Sequence, residues 1–203
     1  MSFIYPYRRV TTSKKEISDL FIALVVIALV MVIVTRGFGL GFLVGFVVSF
    51  FTVGVAFIVH ELSHKVIAQK FGYSAEFRKS TPMLFMSLIF SFFGIVFVAP
   101  GAVVINGLGM TDSENGKISL AGPLSNLILG FLAIIISFFV SNLVAKNILI
   151  FAAFINCMIG VFNMIPLWIL DGRKVFKWNK NIYVWVLGLF LFLYIIVKFQ
   201  LIL

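Results

Sequence analysis

Very little in this chain can ionise. Of its 203 residues, 11% are Asp, Glu, Lys or Arg, against roughly 25% in an ordinary soluble domain. Hydrophobic residues make up 62%, and the mean hydropathy is +1.17. A soluble globular domain is excluded, and so is a disordered chain, which needs low hydrophobicity and high charge. The single cysteine, Cys157, rules out an internal disulfide framework and a cysteine-based metal cage. Two histidines and seven acidic residues leave few groups able to bind a metal or act as a base. Lys and Arg exceed Asp and Glu by nine. In a soluble protein that excess would suggest nucleic acid. Here the positive residues lie in short clusters between long apolar runs, a membrane pattern, and no nucleic-acid partner is expected.

Apolar runs cover residues 17–34, 40–59, 83–99, 118–140, 148–170 and 182–203. A helix needs roughly 20 residues to cross the hydrocarbon core, so the expected fold is an all-α polytopic membrane protein with five to six transmembrane helices. The first run is too long for a signal-peptide core and no small-residue cleavage site follows, so it is expected to be retained. No repeat at a period of 20–50 residues and no soluble domain is apparent. Residues 1–203 are expected to form one membrane-embedded domain, with a catalytic core at about 40–180. Glu16 and Asp19 read as charges at a helix N-terminus, and residues 111–116 as a polar loop.

The 83–99 run decides the topology. If it crosses, and the N-terminus is inside, ten Lys/Arg face inward and six outward. If it dips in and returns, thirteen face inward and only Arg36, Lys146 and Lys198 outward. The second arrangement fits the positive-inside rule better. It predicts a re-entrant or stranded segment near 74–106, and it brings the ends of the second and fifth long runs to one, cytoplasmic, side. A re-entrant backbone needs cover from protein or a water-filled cavity, so this region is a candidate wall of a site.

His60-Glu61-Leu62-Ser63-His64 carries the chemistry. Residues i and i+4 share a helix face, so both imidazoles can reach one ion. Glu61 lies one residue on, placed to deprotonate a water. From this composition, His-acid-x-x-His arises by chance about 0.0007 times in such a chain. Catalytic zinc takes three protein ligands. With no other histidine and one cysteine, the third is expected to be a carboxylate. Asp171 is the choice among the remaining acids, because it ends a long apolar run on the same side as His64. Asp-Gly is also a common turn pair. Pro166, in Asn163-Met164-Ile165-Pro166, is expected to kink an apolar helix and free backbone groups near Phe162.

The chain resembles the site-2 protease family of intramembrane zinc metalloproteases. The family's HExxH stands here as His60, Glu61 and His64. Its N-x-x-P-x-x-x-L-D-G stands as Asn163, Pro166, Leu170, Asp171 and Gly172. Ala121-Gly122-Pro123-Leu124-Ser125-Asn126 looks like its A-G-P-x-x-N helix opening. The resemblance implies one Zn2+ held by His60, His64 and Asp171, with Glu61 as catalytic base. It further implies hydrolysis of peptide bonds in or near transmembrane segments of other membrane proteins. Asn163 or Asn126 could contact the substrate or donate to an oxyanion; packing or helix-kinking hydrogen bonds would serve equally. A minimal form is expected, without a PDZ insertion or an appended regulatory domain. A helical substrate must be unwound, and adding it as a strand beside 74–82 or 96–106 would hold it extended. A prenyl-protein-processing protease is disfavoured, because no histidine follows His64 and no glutamate follows Glu114. A zinc-binding transporter or scaffold is the non-enzyme alternative. Substrate identity and oligomeric state are not legible.

Overall fold

A computed structural model describes residues 10–96, 100–167 and 170–202. Arg8, Arg9, the end of the 83–99 run and Trp168 therefore lie outside the described residues. Helix α1 (Lys14–Val34) opens on Ser13, whose hydroxyl caps the Glu16 N–H. Helix α2 (Phe42–Ser49) continues through a wide π turn (Phe50–Gly54) into α3 (Val55–Lys70). A short strand β1 (Ser74–Lys79), helix α4 (Thr81–Phe92) and strand β2 (Gly101–Asn106) follow. Then come α5 (Asp112–Ser137), α6 (Leu143–Asn163), α7 (Asp171–Trp178) and α8 (Lys180–Ile202). Among the described residues, five helices are long and apolar enough to cross a membrane: Lys14–Val34, Phe42–Lys70, Asp112–Ser137, Leu143–Asn163 and Lys180–Gln200. The chain is an all-α polytopic membrane protein with one small sheet.

The 83–99 run does not supply a sixth span. Its helix, α4, has 12 residues, about 18 Å of rise, against roughly 30 Å of hydrocarbon. Its flanks settle the path more firmly. β1 and β2 pair antiparallel, with Lys79 opposite Gly101 and Ser74 opposite Asn106. The chain leaves β1 and returns to β2 at the same place, and Ser80 N–H donates to Pro100 O (2.8 Å) across the neck. This is the returning, stranded arrangement expected from the charge pattern.

Three local expectations change. Residues 111–116 are the start of α5: Thr111 and Glu114 form a reciprocal capping box that satisfies free N–H groups of the first turn. Pro166 does not kink a helix. α6 ends at Asn163, so the proline sits beyond the last turn, where its missing N–H costs nothing. Glu16 is not a solvated helix-end charge. It is fully buried, with Oε2 2.5 Å from Lys65 Nζ on α3 and Oε1 accepting from Phe77 N–H on β1 (3.0 Å).

Two apolar cores flank the site. One joins α5, α6 and α8 through Leu127, Ile150, Ala153, Cys157, Phe190 and Leu193. Cys157 is completely buried there as a small packing residue. The other joins α1, α3 and β1 through Leu20, Ala23, Ile27, Ala56, Phe57 and Phe77. The histidine-motif helix α3 belongs to this second core.

Candidate metal centre

The i, i+4 spacing on α3 does what helical geometry requires. His60 and His64 turn their Nε2 atoms to one point, 3.0 Å apart. Asp171 reaches the same point from the first residue of α7. Its Oδ2 is 3.3 Å from His60 Nε2 and 3.0 Å from His64 Nε2. All three residues are buried, and together they form a group able to hold a metal ion. Sequence residues 107 positions apart thus meet in one triangle, on the pairing expected from the charge pattern.

Each imidazole is fixed from behind. His64 Nδ1 donates to the Ile118 carbonyl on α5 (2.7 Å). His60 Nδ1 is 2.6 Å from Asn126 Oδ1, also on α5. A neutral imidazole that donates through Nδ1 presents a lone pair at Nε2. Two lone pairs and a carboxylate oxygen therefore converge on one small space.

Helix α5 closes the other side. A Cβ on Gly122 would fall 2.3 Å from His64 Nε2 and 2.6 Å from His60 Nε2, so only glycine lets α5 pass this close to the rings. Gly172 plays a matching part behind Asp171: a Cβ there would fall 2.1 Å from the Met164 carbonyl oxygen just beyond α6. The two motif glycines thus set how near α5 and α7 come to the triangle. Glu61 faces the hairpin. Its Oε2 accepts from Val103 N–H on β2 (3.0 Å).

Asn126 and Asn163 separate here. Asn126 is completely buried, and both of its amide hydrogens are engaged, by Ala56 O (3.2 Å) and Asn156 Oδ1 (3.0 Å). It supports His60 and has no donor left to offer an oxyanion. Asn163 Nδ2 donates to Ile159 O within its own helix (3.0 Å). Several residues in this region escaped the sequence reading. Asn156 could have been noticed as an amide inside an apolar run. Gly122 was quoted only within a motif, and nothing local signals the Glu16–Lys65 pair or Val103.

Comparison with known proteins bears on the same residues. A Methanocaldococcus jannaschii protein named "Putative zinc metalloprotease MJ0611" is 40% identical over 178 residues, which is 84% of this chain and 88% of that protein. The chain belongs to the site-2 protease family of zinc metalloproteases. A second M. jannaschii relative, "Zinc metalloprotease MJ0392", is 29% identical over 64% of this chain and 33% of its own length. A Mycobacterium tuberculosis relative, "Putative zinc metalloprotease Rip3", is 27% identical over 61% of this chain and 29% of its own length. The chain therefore spans about a third of these two longer relatives. No protein-family model matches the chain, and no solved structure matches it.

The family's metal is zinc, and the residues present fit it. Tetrahedral zinc with ligands at about 2.0–2.1 Å separates ligand atoms by about 3.3 Å. The three edges found here are 3.0, 3.0 and 3.3 Å. Two imidazoles and a carboxylate leave a fourth position open, as in catalytic zinc sites.

Proposed function

We propose that this metalloprotease is an intramembrane endopeptidase of the site-2 type, cutting peptide bonds in or near transmembrane segments of other membrane proteins. The observation that carries the reading is the contact between Glu61 and Val103. It puts the candidate base of the HExxH motif against the outer edge of a two-stranded hairpin, beside the metal-ligand triangle.

β2 is the edge of the hairpin that faces Glu61. In an antiparallel pair, every second residue points its N–H and C=O away from the partner strand. On β1 these outward groups are taken: Phe77 N–H by Glu16 Oε1 (3.0 Å) and Ala75 O by Gln69 Nε2 (2.8 Å). On β2 the outward Val103 N–H is held by Glu61 Oε2, and a substrate strand added there takes the place of this contact. An extended substrate added along β2 gains main-chain hydrogen bonds and presents its peptide bonds to the site. The hairpin edge thereby supplies the unwinding that a helical substrate needs.

His60, His64 and Asp171 would hold zinc. When bound, zinc supplies Lewis acidity, polarising a carbonyl and lowering the pKa of water. Glu61 takes the proton from the attacking water and passes it to the leaving amine. The Nδ1 hydrogen bonds to Asn126 and Ile118 keep both imidazoles aimed during these steps. Water enters on the His64–Asp171 side, where the side chains keep 10% and 11% exposure against 3% for His60.

The chain sits in the cell membrane with its N-terminus and site opening on the cytoplasmic face. Thirteen positive residues on that side support this orientation. Its partners are the lipid bilayer and a transmembrane protein substrate. Reconstitution in liposomes with a single-span model substrate tests the reading. Mass spectrometry is expected to find cuts in or beside the apolar segment, abolished by chelation and restored by zinc. Cleavage of soluble peptides only would contradict it.

A further inference from the structure

Asn156 lies on α6, away from the metal-ligand motifs, and is buried to 4% exposure in the middle of a membrane-spanning helix. An amide in that setting is costly unless its groups are paired. Its pairing has a direction. Asn156 Nδ2 donates to the Ala152 carbonyl, one turn back on the same helix (2.9 Å). A carbonyl can only accept, so Asn156 must turn Oδ1 toward α5. There it accepts from Asn126 Nδ2 (3.0 Å). The other Nδ2 hydrogen of Asn126 goes to the Ala56 carbonyl on α3 (3.2 Å), again an obligate acceptor. Asn126 is therefore oriented twice over, with Oδ1 facing His60 Nδ1 at 2.6 Å. An oxygen acceptor at that position requires the proton on Nδ1, so the neutral ring offers its lone pair at Nε2.

We propose that Asn156 is a positioning residue for the metal centre: through Asn126 it fixes the His60 tautomer that offers Nε2 to zinc. The relay joins three helices, α6 to α5 to α3. It is specific to one ligand, because His64 is fixed by the Ile118 carbonyl and has no amide behind it. Without Asn156, the Asn126 amide keeps only the Ala56 anchor, one of its N–H groups is buried unpaired, and the opposite flip becomes competitive. That flip points N–H at His60 Nδ1 and drives the proton to Nε2, the ligand atom.

The chain's two histidines make this measurable. The full chain, labelled with 15N-histidine in detergent micelles, gives two imidazole patterns by NMR. Zinc-free wild type, held at a pH alkaline enough to leave both rings neutral, is expected to show both protonated at Nδ1. In Asn156→Leu, of similar size, His60 is expected to shift toward the Nε2-protonated form while His64 does not move. Zinc affinity, read by competition with a chelator, is expected to fall about tenfold or more. Asn156→Asp is expected to restore both readouts, since a neutral carboxyl can accept from Asn126 and donate to Ala152. Asn156→Ser, too short to reach Asn126, gives the same test if the leucine variant does not fold. An unchanged His60 pattern, or equal disturbance of both rings, overturns the proposal. Zinc and tautomer readouts need no substrate, so failure here leaves the hydrolytic reading standing.

Discussion

His60 Nε2 and His64 Nε2 face each other at 3.0 Å, each on a ring whose Nδ1 is already committed to an oxygen. In neutral rings held this way, both Nε2 lone pairs face the same space. The buried Asp171 carboxylate, 3.3 Å from the first and 3.0 Å from the second, completes a group able to hold a metal ion. The helix spacing, the two ring anchors and the short α7 converge on this one space.

Gly122→Ala separates helix stability from metal binding. In a helix interior this change normally gains about 0.5–1 kcal/mol. Here the added methyl would fall 2.3 Å from His64 Nε2. The variant is expected to fold with helical content intact and to lose most of its bound zinc, measured by metal analysis after dialysis.

The Glu16–Lys65 pair is fully buried, with Lys65 also donating to Thr12 Oγ1 (2.8 Å). Removing one partner strands a charge, a loss of about 3–5 kcal/mol. Glu16→Met and Lys65→Met are each expected to lower the thermal unfolding midpoint clearly. The double variant is expected to recover part of it: no buried charge remains, but the Phe77 N–H still lacks its acceptor.

Ile105→Pro tests the outer edge of β2. By alternation from Val103, the Ile105 N–H points away from β1, so proline leaves the strand pairing intact. Loss of one substrate hydrogen bond is expected to raise KM up to about tenfold. Zinc content and kcat are expected to stay near wild type in a liposome cleavage assay.

Topology can be read by labelling, because Cys157 is completely buried. A cysteine replacing Lys177, exposed on α7, is expected to react with an impermeant maleimide only from the cytoplasmic side. One replacing exposed Ser141, between α5 and α6, is expected to react only from the other side.

The two-histidine motif, the approach of Asp171 to it and the return of the chain from β1 to β2 were legible because each rests on a one-dimensional rule. Helical spacing puts His60 beside His64, and few acids were left to join them. The distribution of Lys and Arg revealed that the segment between Lys79 and Gly101 turns back. What sequence spacing could not reveal was lateral packing. For Asn126, substrate contact and packing stood equally open, and Ala56 and Asn156, which take both its hydrogens, favour packing. Glu16 looked like a helix-end charge because its partners, Lys65 and Phe77, lie 49 and 61 residues away. Pro166 looked like a kink because the apolar run continued past the point where α6 stops.

Glu61→Gln, measured for zinc and for proteolysis in the same preparation, tests the central claim most directly. Glu61 contacts Val103 N–H and is not one of the three converging ligands. The variant is therefore expected to retain one zinc per chain while cleavage of a transmembrane substrate disappears. Asp171→Ala is expected to lose the zinc itself. Undiminished cleavage by Glu61→Gln would contradict the account.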